Sequence, residues 1–204
     1  MPKQDHPMQP INDMKTILVV GVGALGSHVV QFCRSLDASI RIIDFDRVEQ
    51  KNLLSQFHSK PHVGRAKVES IKQTMHFLFG SKIEVIPHKL ASANDDQLLG
   101  NADLIIDCLD NGAARRLVQS YARRSHVPCV HGALAADGTF GQVIWDEQFV
   151  IDDESGAGAA TCENGEHLPF IAMTSAYLAQ AIQLFLKSGK KIGFQVHPTG
   201  AIRV

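Results

Sequence analysis

A short glycine-rich turn constrains this chain more than any other stretch. Gly21-Val22-Gly23-Ala24-Leu25-Gly26 follows the apolar run Ile17-Leu18-Val19-Val20 and opens a segment with helical spacing. A strand that ends in G-x-G-x-x-G and passes into a helix belongs to a βαβ unit of a parallel sheet. Gly21 and Gly23 permit a tight turn and close backbone approach, and Gly26 lets the helix pack on the strand. The helix N-terminus then offers unpaired N–H groups and a partial positive charge to a nucleotide phosphate. The turn does not say which nucleotide. Most such turns hold NAD or FAD, so an oxidoreductase is the first reading to test.

The rest of the chain continues the alternation. Residues 15–20 read as a buried strand and 24–36 as a helix, with Leu25, Val29, Phe32 and Cys33 at helical spacing. Strands come at 39–44, 82–88, 102–109 and 128–134; helices at 65–79, 95–99 and 113–124; and a short helix or turn at 48–57. This pattern predicts an α/β fold with a doubly wound, mostly parallel Rossmann-like sheet. Past the Asp137-Gly138 turn the pattern changes. A strand at 140–145, a long helix at 168–187 and a strand pair at 193–197 and 201–204 predict an antiparallel C-terminal extension. Residues 1–14 read as a flexible arm, 15–204 as one domain, and 151–167, rich in Gly, Ala, Ser and acids, as a mobile loop.

Composition excludes several partners. The net charge of −1 supplies no basic field for nucleic acid or an anionic membrane. No apolar run in the sequence approaches the length of a membrane span, so no membrane partner is expected. The polar, proline-bearing N-terminus does not resemble a signal peptide. Cys33, Cys108, Cys129 and Cys162 are scattered without a Cys-x-x-Cys pair, which argues for free thiols in a reducing, cytoplasmic compartment and against structural zinc. His58 and His62 are four apart, but Pro61 between them breaks a helical ligand pair.

The second strand ends in Asp44, about 20 residues past the glycine turn, where an acid can accept hydrogen bonds from ribose hydroxyls. Beyond Asp44 the chain is not dehydrogenase-like. Asp44-x-Asp46-x-Val48, then Asn52-Leu53-x-x-Gln56, then Val63-Gly64-x-x-Lys67, resembles the ubiquitin-activating-enzyme-like family, which includes ThiF and MoeB. Asp103-Leu104-Ile105-Ile106-Asp107-Cys108-Leu109-Asp110-Asn111 with Arg115 resembles the same family, as do segments 128–132 and 138–143. Cys162 ahead of a long apolar helix is similar to the family's crossover loop and helix.

The resemblance implies an adenylyltransferase that activates the C-terminal glycine carboxylate of a small ubiquitin-like or sulfur-carrier β-grasp protein with ATP and Mg²⁺. By position it implies phosphate contacts at Gly21, Gly23 and Gly26, and ribose contact at Asp44. Asp46, Asn52, Gln56 and Asn111 complete the nucleotide site, Lys67 offsets phosphate charge, and Asp110 takes Mg²⁺. Cys162 is the residue that could accept the activated carboxylate, and a homodimer is expected. One departure stands out. The family's usual Asn-Leu-x-Arg-Gln reads Asn52-Leu53-Leu54-Ser55-Gln56 here, so Arg47, Arg65 or a residue of another subunit would have to supply the missing charge. Two other readings stay open: a binding module of the same family that has lost turnover, and an NAD-dependent oxidoreductase, which leaves Asn52, Lys67 and Asp110 unexplained.

Overall fold

The computed structural model describes residues 14–151 and 165–204. The arm up to residue 13 and the loop at 152–164, with Cys162, therefore lie outside the described residues. Apolar runs form the strands β1 (Thr16–Val20), β2 (Ser39–Ile43), β3 (Ile83–Ile86), β4 (Leu104–Asp107) and β5 (Cys129–Leu134). Between them lie the helices α1 (Ala24–Phe32), α2 (Lys67–Phe79), α3 (Asp95–Leu99) and α4 (Gly112–Ser125). The chain ends with β6 (Gly141–Trp145), α5 (Leu168–Ser188), β7 (Phe194–His197) and β8 (Gly200–Arg203). One eight-stranded sheet results, in the order β3-β2-β1-β4-β5-β6-β7-β8. Strands β1 to β5 pair in parallel, and β6, β7 and β8 pair antiparallel. The doubly wound sheet and its antiparallel extension are as the sequence predicts.

Both faces of the parallel strands are covered, because successive side chains point to opposite sides. Ile17, Val19, Ile42, Leu104 and Ile106 join Val29 and Val30 of α1, Ile71 and Met75 of α2, and Leu178 and Ile182 of α5. Leu18, Val20, Ile43 and Ile105 pack on the other side against Leu98 and Leu99 of α3 and Val118 and Tyr121 of α4. Fully burying one such side chain stabilises the fold by about 1.5–3 kcal/mol.

Helix α5 corrects one expectation. It is 21 residues long, and an 18-residue window within it has a mean hydropathy of 1.3, long and apolar enough by length and composition to cross a membrane. Here it is a core helix. Phe170, Ile171, Leu178 and Ile182 are buried, and Ser175 Oγ donates to the Leu25 carbonyl of α1 at 3.2 Å.

Several boundaries also move for local reasons. Helix α1 stops at Phe32 and finishes as a 3₁₀ turn, Cys33–Ser35. Strand β4 ends at Asp107, because that carboxylate accepts the Leu109 N–H at 2.9 Å and bends the chain. The stretch after Val48 becomes a 3₁₀ helix, Gln50–Leu54, closed by a capping box between Glu49 and Asn52. Cys33 and Cys129 are buried, whereas Cys108 is only half-buried just past the end of β4.

Candidate functional site

The sheet reverses its winding between β1 and β4. From β1 the chain moves outward to β2 and β3, then returns to β4 on the other side of β1. The connections after β1 and β4 therefore diverge at the strands' carboxyl ends, which opens the crevice where α/β sheets hold ligands. Gly21 has φ +87° and donates its N–H to the Ile43 carbonyl at 2.8 Å. A Cβ on Gly26 would lie 1.9 Å from the Gly21 carbonyl oxygen, so only glycine lets α1 begin this close to its strand. Gly23 differs: a Cβ there would meet nothing within 4 Å. Gly23 caps α1 without a side-chain hydrogen bond, and the first turn holds no acid. No side chain of the helix's own first turn thus offsets the positive end of its dipole.

Asp44 sits one residue beyond β2. Its Oδ2 accepts the Val22 N–H and its Oδ1 the Asp46 N–H, both at 2.8 Å. Each oxygen keeps a second lone pair, enough to accept a hydroxyl as well. Burial pushes this carboxyl above the usual carboxylate range, against the opposing pull of Lys67 and the two N–H bonds. Asp46 pairs with Lys67, Nζ to Oδ2 at 3.0 Å, and the Lys67 side chain is 9% exposed. Lys67 opens α2, and its N–H donates to the Asp46 carbonyl at 2.8 Å. Backbone and side chain are both tied to Asp46.

Asn52 is buried, and its Oδ1 accepts the Glu49 N–H at 2.8 Å. Gln56 is buried too, and its Oε1 has no hydrogen-bond partner among the described residues. Leaving a buried acceptor unmet costs about 1–3 kcal/mol. Asp110 is exposed on the turn after β4. That turn packs on the glycine turn: a Cβ on Gly21 would lie 3.0 Å from the Cys108 carbonyl oxygen. Asn111 is the N-cap of α4, its Oδ1 accepting the Ala114 N–H at 3.0 Å.

The structure thus gathers Gly21, Gly23, Gly26, Asp44, Asp46, Lys67 and Asp110 around one crevice, with Asn52 and Gln56 in the segment packed beside it. Ser55, at the position of the family's arginine, is 1% exposed, and its carbonyl accepts the His28 Nε2–H at 3.1 Å. Arg47 and Arg65, the candidate substitutes, donate to the Gly64 carbonyl and to Gln73 Oε1. Among the described residues no cluster of His, Cys, Asp and Glu side chains gathers as a metal-ligand set. A lone exposed carboxylate still suits Mg²⁺, which commonly takes one or two carboxylates together with substrate phosphates.

Five side chains near the crevice have no role that the sequence could assign. His58 donates Nε2–H to the Val22 carbonyl at 3.2 Å, inside the glycine turn, and its Nδ1 lies 3.1 Å from Ser70 Oγ. His62 reaches the same hydroxyl at 3.0 Å, so the two histidines do converge, on a serine. Burial, reinforced by Lys67 and His62, pushes the His58 pKa down to about 4 despite the Val22 bond. Asp107, His131 and Asp146 form a buried network behind the Asp110 turn. The sequence signal for it is a polar residue, His131, in an otherwise apolar strand.

The comparisons with known proteins agree with this geometry. The ThiF family model matches residues 4–191. The molybdopterin-synthase adenylyltransferase of Escherichia coli is 30% identical over 185 residues, covering 85% of this chain and 74% of that protein. The adenylyltransferase and sulfurtransferase UBA4 of Lodderomyces elongisporus is 36% identical over 135 residues, 64% of this chain and 30% of that protein. UBA4 of Meyerozyma guilliermondii is 27% identical over 212 residues, 85% of this chain and 50% of that protein. The chain thus spans half or less of these two relatives. Among solved structures, E. coli MccB with ATP superposes with a TM-score of 0.75 at 16% identity, covering 93% of this chain and 62% of that one. At that identity the likeness speaks for the fold alone. A glycine turn, an acid after β2, a lysine opening α2 and an Asp-Asn turn after β4, in this order and on this sheet, together with a family model spanning nearly the whole chain, mean that the chain belongs to the ThiF family.

Proposed function

We propose that this chain adenylates the C-terminal glycine carboxylate of a ubiquitin-like or sulfur-carrier β-grasp protein, with Mg-ATP as co-substrate. A carboxylate is a poor acyl donor and an anion, so it must be brought against a second anion, the α-phosphate. The carboxylate oxygen forms a bond to the α-phosphorus, the α–β phosphoanhydride bond breaks, and pyrophosphate carries away the electron pair. The observation that carries this reading is the pairing of an open α1 N-terminus with the half-shielded Lys67–Asp46 ion pair. The first is suited to phosphate oxygens and the second offers a cation close by.

In this reading the N–H groups after Gly23 cradle phosphate oxygens, and Asp44 holds the ribose through its spare lone pairs. Lys67 shifts part of its interaction from Asp46 to the phosphates as charge develops. Asn52 and Gln56 orient the phosphates or their bound water, and Asp110 holds Mg²⁺. The metal supplies charge neutralisation on the phosphates. In a later step the Cys162 thiolate bonds to the carbonyl carbon of the acyl-adenylate, the acyl–phosphate C–O bond breaks, and AMP leaves with the electron pair; the chain works as a homodimer in the cytoplasm.

Ser55 favours a second reading. Its buried side chain brings no charge to the crevice, as expected of a family member that binds nucleotide and partner without turnover. Pyrophosphate exchange separates the two. With labelled pyrophosphate, ATP, Mg²⁺ and a β-grasp protein ending in Gly-Gly, the enzyme exchanges label only when the carrier is present, and Cys162→Ala leaves that exchange intact. ATP binding without exchange selects the binding module, and NAD binding without ATP binding overturns both.

A further inference from the structure

Behind the Asp110 turn runs a buried chain of alternating charges that the adenylation chemistry does not use. His131, on β5, is 0% exposed. Its Nδ1 lies 2.7 Å from Asp107 Oδ2 and its Nε2 3.2 Å from Asp146 Oδ1. Its ring stacks on Phe149, with centroids 4.0 Å apart. Arg115 Nη1 lies 3.3 Å from Asp107 Oδ2, and Arg123 Nε donates to Asp146 Oδ2 at 2.8 Å. A protonated imidazole has two N–H donors, one for each carboxylate. The directions agree. Burial lowers the His131 pKa, but the bonds to Asp107 and Asp146 outweigh it and the net shift is upward. Cys129 Sγ, 3.6 Å from Nε2, adds one weak neutral contact.

The inner end of this chain bears on the crevice. Asp107 Oδ1 accepts the Leu109 N–H at 2.9 Å. Arg115 donates to the Leu109 carbonyl and, at 2.7 Å, to the Gly132 carbonyl. Leu109 is therefore held by both of its backbone polar groups, one residue ahead of Asp110. The two Asp107 oxygens divide the work, since Oδ1 holds the turn while Oδ2 meets His131 and Arg115. We propose that His131 is a positioning residue, which by fixing Asp107 sets the place from which Asp110 presents its carboxylate to a Mg²⁺–nucleotide. The proposal rests on the adenylation reading above. Groups one step behind a metal ligand commonly change metal affinity by about 10–100-fold.

Two isosteric substitutions test it. In His131→Asn the amide nitrogen takes the place of Nδ1 and still serves Asp107. In His131→Gln it takes the place of Nε2 and serves Asp146 instead. Both lose the ring stack and one donor, so general damage to the fold is matched. Amide hydrogen exchange at Leu109 needs no nucleotide. It should accelerate about tenfold in His131→Gln and stay within about twofold of wild type in His131→Asn. Mn²⁺ affinity of the ATP-loaded protein, read from the free-Mn²⁺ electron paramagnetic resonance signal, should follow the same split, with metal-free ATP affinity unchanged. Equal effects of the two variants on Leu109, or on Mn²⁺, overturn the proposal. If wild type binds no ATP, the adenylation reading falls while Leu109 exchange still decides the positioning role. If His131→Gln does not fold, His131→Phe, which removes both donors, takes its place: Leu109 exchange about tenfold faster than in His131→Asn upholds the proposal, and equal exchange in the two overturns it.

Discussion

A half-buried and a buried histidine flank the crevice, and their surroundings shift their pKa values in opposite directions. His58, on the glycine-turn side, faces a carbonyl, a hydroxyl and the cation of Lys67, and its pKa falls to about 4. His131, on the Asp110 side, lies between two carboxylates, and its pKa rises. Burial pushes both down; only the partners differ. The support of the glycine turn at His58 is thus made of neutral donors and backbone, beside the Lys67–Asp46 ion pair, an arrangement suited to shaping a loop around phosphates. The Asp110 half is built from alternating full charges, suited to holding one carboxylate still.

Asp110→Ala strains this division most. Carrier-dependent pyrophosphate exchange should fall by on the order of 10³-fold, while ATP still binds through the intact glycine-turn half. Loss of ATP binding as well would mean that the halves do not act separately. Ser55→Arg probes the neutral half. Restoring the family's arginine at this buried position should destabilise the fold by about 3 kcal/mol without raising exchange, measured by urea unfolding and the exchange assay. A gain in exchange would show that the segment can turn outward.

The pH dependence comes next. The folded pKa of His58 lies below its unfolded value of about 6.5, so its stability contribution is present above that pH and is lost as pH falls towards 4. His131 is raised, so its contribution is fully present below about pH 6.5 and is lost as pH rises through its folded pKa. Thermal melts should therefore lose His58-dependent stability on the acid side, by roughly 2 kcal/mol, and His131-dependent stability on the basic side. His58→Phe and His131→Phe should each flatten only one limb. The weakest effect belongs to Asn111→Ala, which removes the α4 cap and should cost about 1 kcal/mol in urea unfolding.

The glycine-turn half is the more legible in sequence. Its contacts are short-range: strand, turn and helix are contiguous, and Asp44 ends the very next strand. The apolar runs likewise announce β1, β2, β4 and β5. The Asp110 half is legible only at its surface, in the Asp-Asn turn. Its support comes from Asp107, His131 and Asp146, which are 24 and 15 residues apart and meet only once β4, β5 and the turn after β6 lie side by side. No spacing rule pairs residues across strands before the strand order is known. For the same reason His58 and His62 read as a broken helical pair, although the 3₁₀ turn Lys60–His62 brings both to Ser70. Ser55 is legible as a departure from the family, but its burial depends on His28 of α1 holding the segment by its carbonyl.

Transfer of AMP to a carboxylate at this crevice can be read from mass alone. A β-grasp carrier is incubated with the protein, ATP and Mg²⁺ in the presence of pyrophosphatase, and its intact mass is measured. With wild-type protein the carrier should gain one AMP at its C-terminal glycine, and with Asp110→Ala none. A carrier of unchanged mass, with ATP shown to be bound to the wild-type protein, would contradict adenylation.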